Sequence, residues 1–186
     1  MVTDMFSFLK KNKKIELPIE QVSRTLINGE MEQKSKVIFE YRRERSFGFD
    51  GGPGGSSIVV FEDGTVVRRH FIFGHKEMAS ENIIAIVPKI VVRIEKILKS
   101  HYDDLKVIPS CLNNGSFDGS FSYFQFGGKA IRSLNIHRSK ISEVESRNPD
   151  YYRRYKDNMI YENMVLDIND EISKILIDFK IGGIDE

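Results

Sequence analysis

The stretch FGFDGGPGGSS, residues 47–57, is glycine-rich enough to suggest a phosphate cradle. Such a cradle needs free backbone amides at a helix N-terminus, where the helix dipole meets the anion. Here Ser56 to Phe61 is β-rich and leads into a hairpin, and no Lys-Ser/Thr pair follows in Walker order. The stretch therefore reads as a long mobile connection, and Phe47, Phe49 and Asp50 are its candidate partner contacts.

The other chemistry-bearing residues are dispersed. His70, His75, His101 and His137 lack the i, i+4 helical spacing of a zinc-protease motif, so they read as surface or structural histidines. An enzymatic reading would need the fold to assemble a site from distant groups such as His70, His75 and Asp118. Cys111, the single cysteine, sits in PSCLNNGS without a basic partner nearby and reads as a buried or inert thiol. Ser56, Ser57 and Ser116 lack the G-x-S-x-G setting of a hydrolase nucleophile. No catalytic residue, metal ligand or cofactor is assigned.

Basic pairs recur beside aromatics: Tyr41-Arg42-Arg43, Arg68-Arg69-His70-Phe71 and Tyr151-Tyr152-Arg153-Arg154-Tyr155. Arginine with stacking aromatics is the chemistry of single-strand nucleic-acid surfaces. Adjacent strand residues face opposite ways, however, so each strand pair puts one arginine on a given face. Charge is also uneven along the chain. Residues 141–186 hold eleven acids and six Lys/Arg, net −5, whereas residues 1–140 hold sixteen acids and twenty-two Lys/Arg, net +6. Clustered acids repel one another, so Asp167, Asp170, Glu171 and Asp178 become a second candidate surface, one that could steer a basic partner.

The elements that must position these residues follow from periodicity. Leu17 to Ile27 predicts a short helix with Pro18 near its start, and Lys36 to Glu44 alternates as a strand with Val37, Phe39 and Tyr41 on one side. Ile58 to Phe61 and Val66 to Phe73 flank Asp63-Gly64, which predicts a type I′ hairpin. Phe121 to Phe126 and Lys129 to Ile136 flank Gly127-Gly128 and predict a second hairpin. Between them, Ile83, Ile86, Val87, Ile90, Ile94, Ile97 and Leu98 recur at helical spacing, and Pro88 places the start near Val87. Asn148-Pro149 starts a last helix, whose stripe Val165, Ile168, Ile172, Ile175, Leu176 and Phe179 is terminated by Gly182-Gly183. The expected fold is a single α+β domain over 17–183, with an antiparallel sheet of about five strands covered by helices.

Composition bounds the answer. The 186 residues, 40% hydrophobic and 30% charged with a formal charge of +1, describe a globular protein that does not coat nucleic acid or anionic membrane with its whole body. One cysteine excludes an internal disulfide, and no apolar run reaches the roughly 18 residues of a membrane span. Segment 1–16 is basic and amphipathic, but its charges follow its apolar residues, the reverse of a secretory signal. The expected location is the cytoplasm.

The order of elements carries a resemblance. Val60 to Arg69 with its E-D-G-T turn, then Pro88 to Leu98, then N-N-G-S-F-D-G leading into FSYFQFGGKAIRSLNI at 121–136, resembles small cytoplasmic immunity proteins of bacterial polymorphic toxin systems. The likeness spans roughly residues 36 to 180 and implies stoichiometric binding of a cognate toxin without catalysis. The leading expectation is thus a non-catalytic immunity or inhibitor protein with a protein partner. The alternative is a nucleic-acid-binding module using Arg42, Arg43, Arg68, Arg69, Arg153 and Arg154, and the third is an enzyme.

Overall fold

The computed structural model describes residues 22–23, 35–74, 78–113 and 119–182. Strand β1 is Val22–Ser23, and β2 (Val37–Glu44), β3 (Pro53–Phe61), β4 (Thr65–Ile72) and β5 (Met78–Ile86) form a meander. Helices α1 (Pro88–Ser100) and α2 (Tyr102–Val107) follow, then β6 (Cys111–Leu112), β7 (Phe121–Phe126) and β8 (Lys129–Leu134), and finally α3 (Ile141–Arg147) and α4 (Pro149–Asp178). The strands join one sheet in the order β1-β5-β4-β3-β2-β7-β8-β6. Every pairing is antiparallel except β6 with β8. The class is α+β as expected, but the sheet is mixed and larger than five strands.

The helices cover one face. Ile90 and Ile94 of α1 and Val165, Ile168, Ile172, Ile175 and Leu176 of α4 pack on Phe39, Ile58, Val60, Val66, Phe124, Phe126 and Ile131. Apolar burial of this kind stabilises by about 1.5–3 kcal/mol per large side chain. Cross-strand register makes the aromatic centre: Tyr41 lies opposite Phe124 with ring centroids 4.9 Å apart, and Phe39 opposite Phe126 at 6.1 Å. The other face holds a smaller cluster of Val59, Phe61 and Val67 with Val37 and Ile83 against it. Val37 was expected beside Phe39; the register shift between the two turns it to the opposite face.

Five further expectations are corrected. Val22 and Ser23 pair with Ile83 and Asn82 as a strand instead of forming part of a helix, while the remainder of Leu17 to Ile27 and segment 1–16 lie outside the described residues. Ile83 and Ile86 belong to β5, because the residue before a proline is barred from the α region and Val87 is held at φ −135°. The Asp63-Gly64 hairpin has a three-residue loop in which Gly64 alone has positive φ (+84°) and its N–H donates to the Phe61 carbonyl at 2.9 Å, a G1-bulge turn in place of type I′. Residues 54–57 are part of β3, where Gly54 permits close approach: a Cβ there would sit 2.6 Å from the Ile72 carbonyl carbon. The last helix stops before its glycines. Lys180 takes the left-handed conformation (φ 58°), and the Ile181 and Lys180 amides donate to Leu176 and Ile177. This is a Schellman stop that tucks Ile181 into the core.

Candidate interaction site

Phe47 and Phe49 are 69% and 73% exposed, the most exposed large apolar side chains among the described residues. The segment that carries them is not a loose connection. The Arg45 amide donates to the Gly54 carbonyl (2.8 Å), Gly51 to Phe73 (3.1 Å), Gly52 to Phe49 (3.0 Å) and Phe73 to Gly52 (2.8 Å). Three of these bonds tie residues 45–52 to the start of β3 and the end of β4, the Gly52–Phe49 bond closes a turn within the segment, and together they present both rings outward from a fixed frame. Asp50, on the same segment, is exposed beside Gly74.

A hollow of about 300 Å³ adjoins this segment, lined by Arg42, Glu44, Arg45, Gly54, Phe71, Ile72, Phe73 and Gly74. Strand alternation puts Glu40, Arg42 and Glu44 on the face away from the helices. Register then sets Arg42 in line with Ser57 and Tyr123, and Glu44 in line with Gly55 and Phe121. The Arg42 guanidinium stacks 4.8 Å from the Tyr123 ring centroid and 5.2 Å from that of Phe71, and its Nε lies 3.1 Å from the Glu44 carboxylate. Glu40 is buried beneath this row. Burial pushes its carboxyl above the usual range, while the Arg42 and Arg69 charges pull the other way. Burial and the Glu40 charge also raise the Tyr123 phenol, whose O–H donates to Gln125 at 3.1 Å.

The four candidate acids are each engaged within the chain. Asp167 and Asp170 share Arg138 at 2.6 and 2.9 Å, Glu171 meets His101 at 3.1 Å, and Asp178 meets Arg93 at 2.6 Å. They fasten α4 to α1, to the α1–α2 junction and to the segment before α3. Their clustering therefore has a structural cause that charge counting does not reveal.

The basic pairs separate as strand geometry requires. Arg42 and Arg69 share one face and Arg43 and Arg68 the other. Arg69 pairs with Glu81 at 2.7 Å, Arg153 pairs with Asp150 at 2.5 Å, and Arg154 is exposed on α4. No single basic-aromatic face unites the six arginines. His70 is exposed on β4, whereas His75 and Asp118 lie outside the described residues. Cys111 is exposed at the start of β6, so of the expectation of a buried or inert thiol the burial is overturned. Among the described residues, no group of three His, Cys, Asp or Glu could hold a metal ion, and no helix is long and apolar enough to cross a membrane.

Sequence reasoning missed Arg45, Phe71 and Phe73 as neighbours of Phe47 and Phe49. The only signal was the second aromatic-glycine run, Phe71 to Gly74, which mirrors Phe47 to Gly52. No protein-family model matches this chain, and no curated protein is significantly similar to it.

Proposed function

We propose that this chain is a non-catalytic binding protein that neutralises a cognate protein toxin by direct contact through the 45–52 segment. The observation that carries the reading is the pair of outward Phe47 and Phe49 rings on a backbone pinned by four hydrogen bonds, beside a hollow with aromatic walls. Exposing two phenylalanines is unfavourable for a free chain, and pinning them lowers the ordering cost of binding. Central aromatic anchors of this kind carry most of the energy of a protein interface. The toxin-neutralising part of the reading rests on the resemblance of the hairpin and turn order to immunity proteins. The nucleic-acid alternative loses support, because its arginines are split between two faces and several are paired with acids.

The test is co-expression with toxins carried by the same genome, followed by binding kinetics. Phe47→Ala with Phe49→Ala should leave the unfolding midpoint unchanged, speed dissociation at least tenfold and abolish protection. Full protection by that double variant would remove this segment as the contact.

A further inference from the structure

The hollow beside Phe47 and Phe49 has an uneven polar wall. The Arg42 guanidinium lies against the Phe71 and Tyr123 rings, and Glu44 meets it at Nε, 3.1 Å away. A guanidinium donates in its plane, so the two Nη groups, the fork that matches a carboxylate bidentately, remain available. Among the described residues they have no carboxylate partner, and the Arg45 side chain has no ion pair at all. The Arg42 side chain is 30% exposed, so the fork reaches solvent through the hollow. Gly54 and Gly74 line the hollow without side chains that would fill it, and Phe71 and Phe73 supply a wall of low polarity that strengthens a charged hydrogen bond. Elsewhere on this face Arg69 is held by Glu81, and Arg132 stacks on Phe121 at 4.4 Å outside the hollow.

We infer that the hollow is a carboxylate receptor, in which an Asp or Glu side chain of the protein partner pairs with the Arg42 fork and Arg45 while Phe47 and Phe49 seat in apolar pockets of that partner. The inference rests on the binding reading above and gives it a chemistry: the partner segment is acidic and flanked by apolar residues. The Arg42 fork fixes orientation, and Arg45 supplies the uncompensated positive charge.

Random dodecapeptides displayed on phage and selected on the full chain supply the probe, and winning peptides are then titrated as synthetic labelled ligands. Winners should carry an Asp or Glu beside Leu, Met or an aromatic residue. Changing that acid to its amide, Arg45→Gln or Arg42→Lys should each weaken binding about tenfold, and the acid-to-amide change should cost clearly less on Arg45→Gln than on wild type, because only the Arg42 fork is then left to hold the acid. Arg42→Lys keeps the charge but removes the fork and the stacking, so circular dichroism and unfolding curves matching wild type establish that a loss is not misfolding. Winners without an acid, or an amide change that costs nothing while Phe47→Ala and Phe49→Ala still abolish binding, would overturn the receptor and leave the binding reading intact. Winners indifferent to both phenylalanines would overturn the binding reading itself. Displacement of the peptides by oligothymidylate with a steep salt dependence would overturn the receptor in favour of nucleic acid.

Discussion

His101 and Glu171 meet across the seam between α1 and α4, with the imidazole Nε2 3.1 Å from a Glu171 carboxylate oxygen, while Nδ1 of the same ring lies 2.9 Å from Asp104. Two carboxylates on two ring nitrogens suit only the imidazolium, which has two N–H donors. Burial lowers the His101 pKa, but the hydrogen bonds and charges of Asp104 and Glu171 together outweigh it and leave the pKa above the ordinary 6.5. A His whose folded pKa is raised contributes stability that is full below the unfolded value and is lost as pH rises through the folded value. Unfolding free energy should therefore fall from about pH 6.5 upward, and His101→Gln should remove that part of the slope. Chemical denaturation at pH 6, 7 and 8 checks this, and parallel profiles for wild type and variant would show that the staple contributes nothing.

The hairpin tip gives a second expectation. Gly64 has φ +84°, a Cβ there would lie 2.5 Å from the Pro88 Cα, and its carbonyl accepts from Val87 N–H at 2.8 Å. The tip thus abuts the start of α1, and Gly64→Val meets both a forbidden backbone region and a clash. A loss of about 2 kcal/mol or more follows. Gly128, at the other hairpin, has ordinary φ and open space where a Cβ would go. Gly128→Ala should stay within about 0.5 kcal/mol of wild type, and equal losses at the two glycines would refute the contrast.

Features set by neighbours along the chain are legible in the sequence. Asn148 caps α4 by accepting the Tyr151 amide at 3.2 Å, and Ile172 and Ile175 are buried, because capping and helical stripes are local signals. The β5 strand was hidden because Ile83 and Ile86 fall in phase with α1, and only pairing to β4 decides between the two periods. The register shift at Val37 and the close approach at Gly54 depend on neighbouring strands and leave no local trace. At the site, the exposure of Phe47 and Phe49 was readable from glycine-rich surroundings. The Arg42 stack was not, since Phe71 and Tyr123 reach it from β4 and β7 through the register of four strands.

The Arg138 clamp yields the last expectation. Arg138 bridges Asp167 and Asp170 from the segment before α3, where the neighbouring Ser139 also exchanges two 2.9 Å hydrogen bonds with Asn163 of α4, its amide donating to Asn163 Oδ1 and its carbonyl accepting from Asn163 Nδ2. All three charged side chains are about half exposed, so solvent screens the clamp, and pairs of this kind are worth roughly 0.2–1 kcal/mol each. Asp167→Asn with Asp170→Asn should lower stability by about 1 kcal/mol at low salt and less in 0.5 M NaCl, because added ions screen what the clamp supplies. If the acids serve the fold, the same variant should bind the proposed partner with an unchanged association rate at both ionic strengths. An association rate that drops several-fold at low salt, with the unfolding curve unmoved, would instead assign Asp167 and Asp170 to steering a basic partner, since rim charges act on encounter and not on the folded state.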